Sequence, residues 1–234
     1  MPAFRLSKKM GFRYVETDVS FTADGVAVLL HDASINRTSD GKGKVSEMTF
    51  AEVRKYDFGS WKSPLYKGTG IPTLDEFLSF CEEEEMIPYV ELKKNGGYTE
   101  KQIRSIVDAV DEHGLRGRAS FISFAPDYLK FVKDYDSEAR LGFLKSKAST
   151  SDIPVIRELM TGSNEVFYDV KYATLSDAVL AAFEKEGIPV EVWTVDDVQK
   201  ISRIHPYITG ITSNDKIAGK ILYYTRSLKE QTGL

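Results

Sequence analysis

Hydrophobic and polar residues alternate in several short runs of the chain, and between these runs apolar residues recur every three or four positions. Alternation is typical of half-buried strands, whereas the wider spacing is typical of helices with one buried face. Strands are predicted at residues 14–19, 26–30, 87–93, 118–124, 139–144, 165–170, 189–195 and 208–213. Helices are predicted at residues 2–10, 49–55, 73–81, 99–113, 127–135, 153–160, 175–186, 196–204 and 215–228. This order predicts a parallel sheet with helices outside it.

Two of the predicted helices begin with a recognisable capping pattern. Thr73 is followed three residues later by Glu76, and Thr99 by Gln102, which are the residues of a capping box. These pairs set the first turns of the helices that follow the second and third predicted strands of the chain.

The number of strands leaves two architectures open. Seven main strands are predicted besides the short returning strand at 26–30. This number fits a doubly wound sheet, or a (β/α)8 TIM barrel that lacks one unit. Polar residues at the carboxyl ends of several strands favour the barrel, because barrel enzymes carry their chemistry on that rim. Residues 33–70 are polar and rich in glycine, and a connection this long is usually functional. We therefore predict one α/β domain over residues 1–234, with an insertion at about 33–70.

Composition narrows the classes of function. The chain has 234 residues and a net charge of −4 without a basic stripe, which argues against a nucleic-acid binder. A single cysteine excludes an internal disulfide and a cysteine-based zinc cluster. No apolar run approaches the roughly 20 residues that span a bilayer, and the first ten residues lack the apolar core of a secretory signal. We expect a cytoplasmic protein, although a removed leader would leave no trace.

Candidate chemistry begins on the first strand and the hairpin that follows it. Glu16 and Asp18 share one face of the strand, since side chains alternate with period two. Two neighbouring carboxylates repel each other, and a Mg²⁺ or Ca²⁺ ion between them would remove that penalty. The returning strand ends on His31, which can exchange a proton near neutral pH. The alternative is a half-buried strand with exposed acids.

A second pair of charged residues shares a face of the strand at residues 87–93. Glu91 can join the first two carboxylates as a third metal ligand if the strands are neighbours, and Lys93 can neutralise a phosphate. His31 would then donate a proton to the leaving oxygen. Asp32 could orient His31, although strand alternation places adjacent side chains on opposite faces. The alternative for Glu91 and Lys93 is an ion pair at the end of a strand.

These residues and several short motifs resemble the glycerophosphodiester phosphodiesterase family over residues 3 to about 215. The motifs are Glu16-x-Asp18, Thr22-x-Asp24-Gly25, His31-Asp32, Arg37-Thr38 with Gly41-x-Gly43, Ile71-Pro72-Thr73-Leu74, Glu91-Leu92-Lys93 and Trp193-Thr194-Val195. The resemblance implies a TIM barrel with a small insertion after its second strand. It also implies hydrolysis of a small-molecule glycerophosphodiester to glycerol 3-phosphate and an alcohol, through attack by the substrate's own neighbouring hydroxyl.

The resemblance also assigns roles to particular residues. Glu16, Asp18 and Glu91 would hold Mg²⁺ or Ca²⁺, His31 would be the general acid, and Lys93 would contact the phosphate. Trp193 would form a wall of the substrate pocket. A further candidate for this wall is Phe124, although aromatic residues near strand ends more often pack the core.

One departure from the family pattern is expected to matter. Family members begin with a strand that carries His-Arg-Gly, whereas this chain starts at Met1 inside the first helix. A barrel without its first strand is expected to close with seven strands or stay open, or to take a strand from another chain and form a homo-oligomer. A further alternative is that the sequence is a fragment of a longer protein that carries this strand. In the family, the histidine of the His-Arg-Gly motif acts as the partner base. Loss of a general acid–base group typically costs about 10²–10⁴-fold in rate.

Two functions therefore stay open at the level of sequence. The first is a metal-dependent phosphoric diester hydrolase of lipid and glycerol metabolism. The second is a catalytically impaired member of the family that binds metal and a phosphodiester, or assembles through the open barrel edge. Another phosphodiesterase of the same barrel group, such as a phospholipase-like enzyme, is a related alternative.

Overall fold

A computed structural model describes residues 1–214 and contains eight strands and eight α-helices within that range. The strands are β1 (Tyr14–Phe21), β2 (Ala27–Leu29), β3 (Ile87–Leu92), β4 (Ser120–Ser123), β5 (Arg140–Lys145), β6 (Val166–Lys171), β7 (Val190–Trp193) and β8 (Ile208–Ile211). The helices are α1 (Pro2–Lys9), α2 (Phe50–Val53), α3 (Leu74–Glu83), α4 (Glu100–Glu112), α5 (Pro126–Tyr135), α6 (Ile153–Leu159), α7 (Asp177–Lys185) and α8 (Val198–Ile201). The predicted alternation of strands and helices is confirmed.

All eight strands form one sheet in the order β2-β1-β3-β4-β5-β6-β7-β8. Strand β2 pairs antiparallel with the end of β1, and every other pair of neighbours is parallel. Within residues 1–214, β8 pairs with β7 alone, and β2 covers only the last three residues of β1. Within residues 1–214 the sheet therefore does not close on itself.

Side-chain contacts across the sheet show that it is curled. Tyr89 on β3 donates a hydrogen bond to Glu191 on β7 (3.1 Å), and Arg140 on β5 donates to both residues (2.6 and 2.7 Å). These strands are not neighbours, so their side chains can meet only on the concave face. Phe167 fills that face against Gly142, where a Cβ atom would lie 2.4 Å from the Phe167 ring. The TIM-barrel prediction is confirmed, in the form of a barrel that remains open on one side.

The helices cover the convex face of the sheet and bury the main hydrophobic core there. In α3, Thr73 Oγ1 accepts a hydrogen bond from Glu76 N (3.0 Å) while the Glu76 carboxylate accepts one from Thr73 N (2.9 Å). Thr99 and Gln102 make the same reciprocal pair at α4. Both capping boxes are confirmed, and each satisfies amide groups that the first turn of a helix leaves without partners.

Residues 33–70 fold beside the hairpin of β1 and β2 around a small core of their own. Val28 and Leu30, at the end of the hairpin, pack with residues of this segment. The buried members contributed by the segment itself are Ile35, Val45 and Val53. Thr49 caps α2 through a third capping box. The insertion is thereby attached to the strand that leads to His31.

The structure differs from the sequence prediction mainly near the carboxyl terminus. Residues 196–204 were predicted as a helix, but α8 spans only Val198–Ile201, where Asp197 accepts a hydrogen bond from Gln199 N (2.9 Å). The helix predicted at 215–228 lies outside the described residues. No helix within residues 1–214 combines the length and apolar character needed to cross a membrane.

Candidate active site

Three carboxylates meet where β1 and β3 run side by side. Asp18 lies opposite Glu91 in the parallel register, and Glu16 precedes Asp18 by two residues on the same face. One oxygen from each of the three side chains lies within 4.8 Å of the other two. Hard oxygen ligands at this spacing suit a divalent cation such as Mg²⁺ or Ca²⁺. The three predicted ligands therefore form one cluster that is able to hold a metal ion.

Lys93 contributes a positive charge to the same cluster. Its Nζ atom lies 2.9 Å from Asp18 Oδ1 and 3.1 Å from Glu91 Oε1. The ammonium group is about three-quarters shielded from solvent. Lys93 therefore forms the ion pair that was the alternative reading of this strand end, and it does so inside the carboxylate cluster.

The electrostatics of the cluster show that the lysine does not fully compensate the acids. Burial, followed by repulsion from Asp18, raises the pKa of Glu91 to about 7. The pKa of Glu16 is raised well above its ordinary value, first by desolvation and then by Asp18 and Glu91. Glu91 Oε1 is buried and receives no hydrogen bond of good geometry from residues 1–214. A buried carboxylate oxygen whose positive neighbour, Lys93, is shared with Asp18 is one that a bound cation would satisfy.

Glu16 is the exposed member of the carboxylate cluster, whereas Glu91 is buried. Strand β2 pairs only with residues 19–21 of β1, so the backbone edge beside Glu16 has no neighbouring strand in the part of the chain described. Tyr14, earlier on the same face, is half exposed for the same reason. The open side of the barrel thus gives small molecules a way to the carboxylates.

The backbone next to His31 is bonded to the strand that carries the carboxylates, because β2 returns along β1. Leu30 N donates a hydrogen bond to Asp18 O (3.0 Å), which places the next residue beside the carboxylate strand. His31 Nδ1 lies 2.7 Å from Asp32 Oδ1. The two residues come after β2 has ended, so strand alternation does not separate their side chains. The expectation that adjacency would keep them apart is wrong.

Asp32 is held in turn by Arg37 from the insertion. Arg37 Nε and Nη2 donate to the two Asp32 oxygens at 2.6 and 3.0 Å. Hydrogen bonds from Arg37 and His31 hold the pKa of Asp32 well below its usual range. An ionised Asp32 can accept a hydrogen bond from Nδ1–H of His31, and this leaves Nε2 as the nitrogen that is able to exchange a proton.

The aromatic candidates lie together on the concave face. The rings of Phe124 and Trp193 meet edge to face with centroids 5.7 Å apart, and both pack against the buried cluster of Ile122, Leu144 and Phe167. Trp193 Nε1 donates to the backbone oxygen of Asp169 (3.3 Å). Both aromatic side chains remain partly exposed, so they can form an apolar wall beside the polar cluster.

The sequence did not single out Tyr98. Its hydroxyl donates to Val19 O (2.5 Å) and accepts a hydrogen bond from Lys93 N (3.1 Å). Val19 follows Asp18, so this one hydroxyl connects the two strands that carry the cluster. Tyr98 lies in the loop between β3 and α4. No pattern in the sequence indicates that its hydroxyl bonds to the backbone of two strands.

The side chain of Asp169 was also missed as a site residue. It lies on β6, is 3% exposed, and its Oδ1 atom has no hydrogen-bond partner within residues 1–214. Burial, and then the neighbouring Glu191 and Glu91, raise the pKa of Asp169 well above its ordinary value. The concave face thus carries a further acid that favours the protonated state.

An open α/β barrel with an acidic cluster that is able to hold a cation defines the class of this protein. Residues 1–215 match the glycerophosphoryl diester phosphodiesterase family, and the chain belongs to that family. The match covers all the described residues, including the strands and the insertion. The family predicted from the motifs is confirmed.

Individual relatives agree with this assignment. The chain is 27% identical over 218 residues to the glycerophosphodiester phosphodiesterase of Caldanaerobacter subterraneus, which covers 91% of this chain and 86% of the relative. It is 26% identical over 231 residues to the glycerophosphodiester phosphodiesterase of Bacillus subtilis, covering 91% and 77%. The fold is similar to a phosphodiesterase from Oleispira antarctica, solved in complex with the product sn-glycerol-3-phosphate. That similarity has a TM-score of 0.85 at 24% identity, covering 94% of this chain and 88% of the other.

Proposed function

We propose that this protein catalyses the metal-dependent hydrolysis of glycerophosphodiesters to glycerol 3-phosphate and an alcohol. The observation that carries the proposal is the cluster of Glu16, Asp18 and Glu91, with oxygens within 4.8 Å of one another and Lys93 between two of them. In the overall reaction, water is added across the bond between phosphorus and the alcohol oxygen. The relatives named as glycerophosphodiester phosphodiesterases support this choice of substrate class.

The three carboxylates would hold the cation, which is Mg²⁺ or Ca²⁺ because all the donors are hard oxygens. The unsatisfied Glu91 Oε1 fits this role. When bound, such an ion polarises the phosphoryl oxygens and offsets the charge that develops on them. Glu16 and Glu91 must lose their protons to bind it, and their raised pKa values make that loss part of the binding equilibrium.

The proposed chemistry assigns the proton transfer to His31. Asp32 fixes the Nδ1 side of the imidazole at 2.7 Å, and Arg37 fixes Asp32. His31 can then present Nε2–H to the alcohol oxygen as its bond to phosphorus breaks. The side chain of His31 is 66% exposed, so a leaving alcohol of varied size can approach it.

Substrate binding is assigned to Lys93 and to the aromatic wall. The ammonium group of Lys93 neutralises the phosphate, which carries one negative charge as a diester. Trp193 and Phe124 would pack against the carbon skeleton of the substrate, because their partly exposed rings form the apolar surface of the concave face.

A specific observation favours the second candidate, a binding or assembly domain with little activity. His113 pairs with Asp75 and Glu82 on the convex side (3.0 and 3.3 Å), and His205 Nδ1 accepts a hydrogen bond from Tyr207 N (3.2 Å). Within residues 1–214, His31 is therefore the one histidine beside the carboxylates. A protein with one proton-transfer group would bind the diester and turn it over slowly, and its unpaired sheet edges would favour association.

The deciding experiment measures the release of glycerol 3-phosphate from glycerophosphocholine and glycerophosphoethanolamine. The assay is run with Mg²⁺, with Ca²⁺ and with EDTA, on the unchanged chain, on Glu16→Gln and on the exposed-surface control Glu100→Gln. The proposal expects metal-dependent release that Glu16→Gln abolishes and Glu100→Gln preserves. Cation binding by calorimetry without any release would replace it with the second candidate, and sedimentation would then report whether copies associate.

A further inference from the structure

Within the insertion, the segment from Trp61 to Lys67 forms a closed loop whose backbone bonds to itself. Phe58 N donates to Thr69 O (2.7 Å) and so joins the two ends of the loop. Asp57 Oδ1 accepts hydrogen bonds from Gly59 N (2.7 Å) and Ser60 N (3.1 Å). Within the loop, further backbone bonds form a turn at Pro64–Tyr66. The loop therefore has a defined shape and does not depend on burial of its side chains.

The side chains that this loop presents to solvent are apolar. Leu65 is 90% exposed, Trp61 50% and Tyr66 37%. Seven large hydrophobic residues are exposed among the residues described, and three of them lie in this loop. The polar atom of the indole is already satisfied, since Trp61 Nε1 donates to Phe58 O (2.9 Å). What the loop offers to a partner is thus the apolar face of the ring and an unshielded leucine.

Basic side chains surround the apolar ones. Lys62 and Lys67 flank Leu65, and neither forms an ion pair with any residue of the range 1–214. Lys62 Nζ lies 5.9 Å from the centre of the Trp61 ring. Residues 33–70 contain seven basic and four acidic residues, which leaves 24 basic and 31 acidic residues in the rest of the chain. The insertion is therefore positive on an otherwise negative protein.

Tryptophan, leucine and tyrosine next to lysines form a combination suited to the interface of a lipid bilayer. Amphipathic aromatic rings lie at the level of the headgroups, apolar side chains enter the acyl boundary, and lysines pair with anionic lipids. A protein partner of opposite charge would pair with the lysines. The highly exposed side chain of Leu65, however, removes the most apolar surface from water when it inserts into a bilayer. We propose that the Trp61–Lys67 loop docks this protein on the surface of an anionic lipid bilayer, with Leu65 and Trp61 inserted.

The loop is connected rigidly to the candidate active site. Asp57 N, at its base, donates to Asp40 Oδ1 (2.8 Å), and Asp40 N donates to Asp57 O (3.1 Å). The same insertion supplies Arg37, which holds Asp32 beside His31. A docked loop would therefore fix the orientation of the site relative to the bilayer, and this would suit an enzyme whose soluble substrates are released from membrane lipids.

The test is flotation of the full chain with vesicles of phosphatidylglycerol and phosphatidylcholine in equal parts, and with vesicles of phosphatidylcholine alone. We expect binding to the anionic vesicles, and Leu65→Ser should weaken partitioning about tenfold. Lys62→Gln and Lys67→Gln should each weaken binding to the anionic vesicles about fivefold. Vesicles with brominated acyl chains should quench the fluorescence of Trp61. The Trp61→Phe variant identifies this contribution, because it lacks that fluorescence.

Matched surface variants separate insertion from a general loss of charge or apolar area. Leu6→Ser changes another exposed leucine, and Lys101→Gln changes an exposed lysine on α4; neither should alter flotation. The proposal is overturned if the unchanged chain stays with the unbound fraction, or if Leu65→Ser and Leu6→Ser float alike. It is also overturned if sedimentation shows a dimer that Leu65→Ser dissociates, because a second copy then covers the loop. Hydrolysis of soluble glycerophosphocholine should be unchanged in Leu65→Ser, so this test does not depend on the proposed catalysis.

Discussion

Two carboxylates on the concave face of the sheet, Glu91 and Glu191, are equally buried and differ in their partners. Each is 7% exposed. Glu191 accepts hydrogen bonds from Arg140 (2.7 Å) and Tyr89 (3.1 Å), so its charge is compensated by fixed donors. Glu91 has only the ammonium of Lys93, shared with Asp18, and its Oε1 atom receives no hydrogen bond of good geometry within residues 1–214. The hydrogen-bonded carboxylate of Glu191 is thus typical of a structural residue, whereas the poorly compensated carboxylate of Glu91 is typical of a ligand-binding site.

The largest expected effect is on stability, at Glu191. Glu191→Gln leaves the buried guanidinium of Arg140 without its closest carboxylate, and should lower the free energy of unfolding by about 3 kcal/mol. Urea denaturation measures this change. The isosteric Glu91→Gln is the control, and it should leave the free energy of unfolding equal or higher, because it removes a repulsive charge. Equal losses in the two variants would show that both carboxylates are structural.

The second effect reverses the order of the two variants in an activity assay. Glu91→Gln removes a proposed cation ligand, and should reduce the metal-dependent release of glycerol 3-phosphate at least about 100-fold. Glu191→Gln, assayed at a temperature where it is folded, should retain most of the activity. Retention of activity in Glu91→Gln would exclude it as a ligand.

A smaller effect is expected from pH. The pKa of Glu91 is raised to about 7, so below that pH a cation must displace a proton from it. Affinity for Mg²⁺ or Ca²⁺ should therefore fall as the pH decreases below about 7, by up to roughly tenfold per pH unit for one displaced proton. Without a cation, the folded chain holds this proton more tightly than the unfolded chain does. The contribution of Glu91 to the free energy of unfolding should then decrease as the pH rises from its ordinary value of 4.5 to about 7.

Calorimetry in buffers with different heats of ionisation reports the number of protons released on binding. Glu91→Gln should reduce that number. A cation affinity that does not change with pH would contradict the proposal that the cation displaces a proton from Glu91.

The smallest expected effect concerns the hydroxyl that joins the two ligand strands. Tyr98→Phe removes the bonds to Val19 O and Lys93 N, and should cost about 1 kcal/mol, which is roughly a fivefold loss of cation affinity. Titration with the cation measures it. Tyr128→Phe, in a ring 5.3 Å from that of Tyr98, is the control for loss of a hydroxyl from the same aromatic cluster. If the two variants lose the same affinity, Tyr98 has no particular role in positioning the ligands.

Local patterns predicted the first turns of α3 and α4 and the face of β1 correctly, but not the length of α8. The capping boxes at Thr73 and Thr99 and the shared face of Glu16 and Asp18 follow from helix and strand geometry alone. The motifs from Glu16 to Trp193 were sufficient to assign the family. The roles given to His31, Lys93, Phe124 and Trp193, and the single domain over residues 1–234, stay predictions.

What the sequence determined by itself is therefore the set of elements, the face on which each polar residue lies, and the family. The tertiary structure alone decided which faces meet. Tyr89, Arg140 and Glu191 come from three strands separated by 51 residues each, and only the curvature of the sheet makes them partners. Tyr98 closes two strands through their backbone, and Asp32 reaches His31 because the strand has already ended. Contacts of this kind depend on how distant segments pack, and no local period records that packing.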